Sequence, residues 1–115
     1  MIKHVTEVSI FEDAVQLSDK VVAVIFQKPD IKNASNLSTQ LLDIAERFKK
    51  VDFLLINVET EDMKPIVEEH KVKTLPTFII FKDGDVMHRY EGMDLDKFEV
   101  ALDDYSPFHT KSESS

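Results

Sequence analysis

The sequence predicts a single α/β domain, with a mixed five-stranded sheet and helices on both faces, in the order β-α-β-α-β-α-β-β-α. Residues 21–26 form a continuous apolar run without the alternation of a half-exposed strand, and residues 53–58 form a second such run. Continuous runs of this kind are typical of parallel strands that are buried on both faces. Helical patterns connect the runs, which predicts right-handed parallel crossovers.

The elements of the N-terminal half follow from local signals. Residues 3–8 are compatible with an edge strand, and Ser9 with Glu12 forms a capping box that predicts a helix over residues 10–18. Five apolar residues with helical spacing predict a second helix of about fifteen residues after a polar loop. These residues are Leu37, Leu41, Ile44, Ala45 and Phe48.

The C-terminal half carries a hairpin and a capped helix. Thr60 predicts the start of a third helix, in which Pro65 fits only near the beginning. Asp83-Gly84 separates strands 77–82 and 86–90, which is a strong hairpin signal. Asp94 caps a last helix with an apolar face, so the domain spans residues 1–105, and the polar tail 106–115 is predicted to be disordered.

Composition excludes several functions. The 115 residues include no cysteine, which rules out a disulfide, a thiolate metal site and thiol catalysis. The net charge of −8 disfavours nucleic acid and anionic membranes as partners, because both are negatively charged. The start of the chain has no secretory signal pattern, and no segment has the ~20 apolar residues of a membrane span, so we expect a cytoplasmic protein.

The remaining polar residues do not predict a catalytic or metal site. No two of the four histidines, His4, His70, His88 and His109, have the helical spacing of a metal-binding pair. Glu68-Glu69-His70 is interpreted as a solvated helix end. With only two glycines, the chain has no phosphate-binding loop, and we expect no cofactor.

The second half of the sequence resembles thioredoxins. Residues 72–78 (Val-Lys-Thr-Leu-Pro-Thr-Phe), 81–84 (Phe-Lys-Asp-Gly) and 90–92 (Tyr-Glu-Gly) match the family's pattern, and both glycines stand where the family has one. The resemblance covers residues 1–105 and has no gap between residues 21 and 53. It implies the thioredoxin fold.

The sequence departs from this family at the positions that carry its chemistry. Ile31 replaces the attacking cysteine and Ala34 replaces the resolving cysteine. Ile25 stands where thioredoxins usually have a buried acid, and Thr39 replaces the proline that kinks the long helix. Disulfide exchange needs a thiolate and a second thiol, so we expect no disulfide oxidoreductase activity and no catalytic residue.

One functional feature of the family is retained at Leu75-Pro76. In thioredoxins the peptide bond before this proline is cis, and the preceding residue offers its backbone to an extended peptide. The resemblance therefore implies a binding surface for a protein or peptide, with Ile31, Leu75 and Met93 as an exposed apolar patch. The positions that match the rim of the family's groove are Asp30, Ile31, Lys32, Thr74, Leu75, Pro76, Gly92 and Met93.

The sequence leaves more than one function open. The favoured interpretation is a redox-inactive binding module of the adaptor or co-chaperone type, by analogy with phosducin-like proteins. Pro76 could equally be retained because the hairpin needs it. A structural subunit of a larger assembly is one alternative, and a glutathione-type enzyme on the same fold is another, although Ile31 and Ala34 argue against a polar ligand pocket.

Overall fold

The computed structural model describes residues 2–16, 19–29 and 34–106. Within them, five strands form one sheet in the order β1-β3-β2-β4-β5. The predicted tail and the predicted end of the first helix lie outside the described residues. The elements are β1 (Ile2–His4), α1 (Val8–Val15), β2 (Val21–Gln27), α2 (Ala34–Arg47), β3 (Val51–Asn57), α3 (Lys64–Glu69), β4 (Thr77–Lys82), β5 (Asp85–Glu91) and α4 (Leu95–Tyr105).

Strand β2 is the centre of the sheet, and all seven of its residues are buried. It pairs in parallel with β3, where Ala23 lies opposite Phe53, and antiparallel with β4, where Ala23 lies opposite Ile80. Strand β1 adds a third parallel strand beside β3, and β5 adds a second antiparallel strand beside β4. The predicted mixed sheet with a parallel core is therefore confirmed.

Helices cover both faces of the sheet and divide the core into two layers. Helices α2 and α4 pack on one face, where Leu41 and Phe98 are fully buried. Helices α1 and α3 pack on the other face through Phe11 and Ile66. The buried positions of α2 are those that the sequence pattern predicts, and the helix is continuous through Thr39.

The β4–β5 hairpin turns at Asp83 and Gly84, as predicted. Both residues have positive φ, 55° and 83°, which is the geometry of the type I′ turn that matches the twist of a hairpin. The Gly84 N–H donates to the Val15 carbonyl at 2.8 Å and so ties the turn to α1. The register shifts after Ile80, which leaves Met87 as the extra residue of a bulge in β5.

The start of α1 differs from the prediction. The helix begins at Val8 with Glu7 as its N-cap, and no side chain caps it, so the predicted capping box at Ser9 is wrong. The chain leaves β1 after His4, and the buried Val5 donates its N–H to the Leu55 carbonyl at 3.0 Å. This contact keeps residue 5 against β3, and α1 begins three residues later, so the strand is shorter and the helix starts earlier than the local signals indicate.

The two later helices agree better with the local signals. Asp94 caps α4, because its Oδ1 accepts a hydrogen bond from the Asp96 N–H at 3.1 Å. Pro65 lies in the first turn of α3, where a missing N–H costs no helical hydrogen bond. A 3-10 turn, Glu61–Met63, precedes α3, and Thr60 makes no side-chain cap. No helix among the described residues is long and apolar enough to cross a membrane.

Candidate functional site

The candidate site lies where the loop before β4 meets the loop after β5. The Gly92 N–H donates to the Pro76 carbonyl at 3.1 Å, which joins the two loops directly. The structure therefore brings Thr74, Leu75, Pro76, Gly92 and Met93 into one region. The other three predicted rim positions, Asp30, Ile31 and Lys32, lie outside the described residues.

Buried residues at the start of β4 hold the loop before this strand in place. The Leu75–Pro76 peptide bond is cis, and Pro76 is buried. Thr77 is also fully buried, and its Oγ1 donates to the exposed Thr74 carbonyl at 2.5 Å. Leu75 is half-buried against the core layer of α1 and α3, so this side chain is less exposed than the predicted apolar patch requires.

The main chain of Leu75 has no hydrogen-bond partner within residues 2–16, 19–29 and 34–106. Pairing of β4 with β2 and with β5 begins at Thr77, opposite Phe26 and Glu91 respectively. Among the described residues, no group hydrogen-bonds to the N–H or the carbonyl of Leu75. Backbone polar groups need hydrogen-bond partners, so water or a ligand must satisfy these two.

The loop after β5 has a shape that depends on Gly92. Its φ is +140°, and a Cβ at this position would lie 2.8 Å from the Tyr90 hydroxyl oxygen. That oxygen accepts a hydrogen bond from the Asp94 N–H at 3.0 Å, and the Tyr90 ring stacks on Phe78. This arrangement carries the next residue, Met93, to the surface, where 42% of it is exposed.

The position of the family's buried acid is apolar in this fold. Ile25 is fully buried in β2, between Leu55 of β3 and Phe78 of β4. A hydrocarbon there can neither accept nor donate a proton. Ala34, at the position of the resolving cysteine, is the first residue of α2.

His70 is not the solvated helix end that the sequence predicts. Its ring packs edge-on against Phe81 and Phe11, with centroid distances of 5.4 and 6.1 Å. Burial lowers the pKa of His70, and the Glu69 carboxylate opposes this effect while the Arg89 guanidinium adds to it. The side chain of Arg89 caps α3, donating to the carbonyls of His70 at 2.5 Å and Lys71 at 3.0 Å. The aromatic residues come from distant segments, so no local pattern signals this packing.

The polar residues provide no evident catalytic centre. In the described ranges, no three histidine or acidic side chains are grouped so that they could hold a metal ion. What the site offers instead is two unpaired backbone groups beside apolar side chains.

Comparison with known proteins supports the fold and the family. The thioredoxin family model matches residues 2–104. Thioredoxin Y2, chloroplastic, of Arabidopsis thaliana is 32% identical over 82 residues, which cover 71% of this chain and 48% of that protein. The chain thus spans about half the length of this relative. The thioredoxin of Oryctolagus cuniculus is 29% identical over 105 residues, which cover 90% of this chain and 98% of that protein.

Solved structures agree with this assignment. The crystal structure of thioredoxin from Trypanosoma brucei brucei has a TM-score of 0.84 at 22% identity, covering 91% of this chain and 90% of that chain. Chlamydomonas reinhardtii thioredoxin f2 has a TM-score of 0.86 at 16% identity, covering 95% of this chain and all of that chain (100%). These likenesses concern the fold alone. The family match over nearly the whole chain shows that this cysteine-free chain belongs to the thioredoxin family.

Proposed function

We propose that this chain is a redox-inactive module that binds an extended segment of another protein, as an adaptor or co-chaperone does. The observation that carries the proposal is the main chain of Leu75, whose N–H and carbonyl have no partner among the described residues. An extended peptide can supply both partners by lying beside this residue, as peptides do when they add to the edge of a sheet.

The absence of thiol chemistry follows from the residues. Disulfide exchange proceeds through a mixed disulfide, which requires a sulfur nucleophile and a second thiol to release it. The chain contains no cysteine. Ile31 and Ala34 cannot form such a bond, and Ile25 cannot relay a proton. The enzyme function of the family is therefore not expected here.

Side chains next to Leu75 indicate which peptides would fit. Met93 is exposed and apolar, and its flexible thioether adapts to different partners. Leu75 is half-buried, so it offers an apolar floor. The resemblance to the family implies that the predicted positions Asp30, Ile31 and Lys32 belong to the same binding surface. We therefore expect segments with one or two apolar side chains that alternate with exposed positions.

Selection of peptides from a random library tests the proposal. The purified full chain is used as bait, and enriched peptides are synthesised and measured by isothermal titration calorimetry. Met93→Asp and Ile31→Asp should each weaken binding by at least about tenfold, because a carboxylate would be desolvated against an apolar ligand. The control is Leu42→Asp on α2, since Leu42 is 54% exposed and lies outside the site.

The backbone contact has its own measurement. On titration with a selected peptide, the amide resonances of Leu75 and its neighbours should shift in ¹⁵N–¹H spectra. The proposal is wrong if the selected peptides leave Leu75 and Met93 unperturbed, or if Leu42→Asp weakens binding as much as Met93→Asp does. It is also wrong if no peptide is enriched.

A further inference from the structure

Exposed apolar side chains concentrate on β5 and α4, away from Leu75. Val86 and Met87 of β5 are about half exposed, and Val100 of α4 is 64% exposed, the highest value among the large apolar residues described. Single exposed apolar residues are ordinary, and of these three only Val100 lines a groove between the two elements. The Tyr105 hydroxyl donates to the Met87 carbonyl at 3.0 Å, which holds the end of α4 against β5.

A groove runs between β5 and α4, with a volume of about 470 Å³. The groove is open to solvent along its length, and mainly apolar atoms line its walls. The side chains that concern a docking partner are His88, Tyr90, Lys97, Val100, Ala101 and Asp104. The groove is large enough to take an inserted side chain from a partner.

Charged residues flank Val100 on the exposed face of α4. Lys97 lies three residues before it and Asp104 four residues after it, so all three share one face of the helix. Within the described part of the chain, neither Lys97 nor Asp104 makes an ion pair. The face thus combines a central apolar side chain with Lys97 towards one end and Asp104 towards the other, while Asp96 adds a second carboxylate to the groove wall beside Lys97.

We propose that this face is the interface of a homodimer, in which α4 packs antiparallel against α4 of a second copy. A two-fold axis between Val100 and Ala101 places Lys97 of each copy opposite Asp104 of the other. Each Val100 then enters the groove of the second copy. Such an isologous contact requires a self-complementary surface, and the order positive, apolar, negative along one helix has this property.

The second copy fits this face better than an unrelated partner. A foreign helix would need a matching order of charges, whereas the chain itself supplies that order in the reversed direction. The net charge of −8 opposes association at long range, but physiological salt screens charges beyond about 8 Å. Contact through one helix and one groove per copy would bury less than the ~1,600 Å² of a standard interface, so we expect a weak dimer that exchanges with the monomer.

Sedimentation velocity with the full chain tests this inference independently of peptide binding. At about 0.15 M salt, the weight-average sedimentation coefficient should rise from the monomer value towards the dimer value as loading increases to about 0.5 mM. Val100→Asp should keep the protein monomeric over this range. Leu42→Asp, an equally polar change at a similarly exposed apolar residue of α2, should leave the association unchanged.

A charge-reversal cycle tests the antiparallel geometry. Lys97→Asp and Asp104→Lys should each weaken the dimer by at least about tenfold, because each creates two like-charge contacts across the axis. The double variant restores both opposite-charge contacts and should regain association to within about threefold of the original chain. Circular dichroism and thermal melting confirm that all variants are folded.

Several results would overturn the inference. A chain that stays monomeric at every concentration contradicts the homodimer. Association that survives Val100→Asp places the contact elsewhere. If the single reversals weaken the dimer and the double reversal does not recover it, the antiparallel pairing of α4 is wrong.

Discussion

Replacing Gly92 by alanine tests whether the two loops of the site are held as the structure shows. Gly92 has a φ of +140°, which residues with a side chain rarely adopt. The Cβ of an alanine there would lie 2.8 Å from the Tyr90 hydroxyl oxygen. Tyr90 must therefore move away and lose the hydrogen bond that it accepts from the Asp94 N–H. The shift also disturbs the hydrogen bond from the Gly92 N–H to the Pro76 carbonyl.

The structure allows the size of the effect to be worked out. A side chain in such a backbone region costs about 1–3 kcal/mol. The lost hydrogen bond adds about 1 kcal/mol. We therefore expect Gly92→Ala to lower the free energy of unfolding by about 2–4 kcal/mol, which corresponds to a fall in Tm of roughly 8–17 °C for a domain of this size.

Urea denaturation of two reference variants isolates the cause. Gly84→Ala is the matched control, because Gly84 has φ +83° but a Cβ there would meet only the flexible Gln16 side chain at 3.5 Å. It should cost about 1–2 kcal/mol, less than Gly92→Ala. Tyr90→Phe removes the clashing oxygen, so its combination with Gly92→Ala should cost less than the two single changes summed. A Gly92→Ala variant as stable as Gly84→Ala, or strict additivity with Tyr90→Phe, would show that the contact with Tyr90 does not limit residue 92 to glycine.

Three further outcomes are expected. In an insulin-reduction assay with dithiothreitol, the chain should give no turnover above a buffer blank, and I31C/A34C should give only poor activity, because the position of the family's acid is a buried hydrocarbon. Turnover by the unmodified chain, free of contaminating thioredoxin, would contradict this. Thr77→Val should lower stability by about 1 kcal/mol, because the donor to the carbonyl three residues before it is lost, whereas Thr77→Ser should retain most of it. Equal effects of the two would rule out the hydroxyl as the cause. Burial lowers the pKa of His70, because the folded state favours the neutral imidazole. The contribution of His70 to stability is therefore complete above the ordinary pKa of 6.5 and is lost as the pH falls through the lowered pKa. Between pH 6.5 and the lowered pKa, the urea midpoint should fall less for His70→Phe than for the unmodified chain. The same pH dependence in both proteins would contradict the assignment.

The parts of the fold that follow local rules were predictable from the sequence. The continuous apolar run of β2 predicts a strand buried on both faces, and every residue of β2 is buried. Asp83-Gly84 predicts a two-residue turn, since few other pairs accept two positive φ angles. The cap at Asp94 is likewise a contact within four residues.

Features decided by distant contacts were not predictable in the same way. The start of α1 depends on the bond between Val5 and Leu55, which lie 50 positions apart and meet only in the sheet. His70 is buried by Phe11 and Phe81, which no spacing in the sequence links to it. The exposure of Leu75 was overestimated for the same reason, because the core layer of α1 and α3 covers part of its side chain.

The contacts around the candidate site divide into those that folding alone requires and those that it does not. The hydrogen bond from Gly92 to Pro76 and the buried hydroxyl of Thr77 stabilise the domain whether or not a ligand binds. Their presence is therefore no argument for a binding function. The main-chain groups of Leu75, unpaired among the described residues, and the exposed Met93 contribute little to the core. If the loop served only the hairpin, a substitution at Met93 would therefore have little effect. Met93→Asp should consequently weaken peptide binding at a nearly unchanged Tm, whereas Thr77→Val should lower both the peptide affinity and the Tm. If peptide affinity follows Tm across these variants, the loop is a structural element, and the adaptor function loses its physical basis.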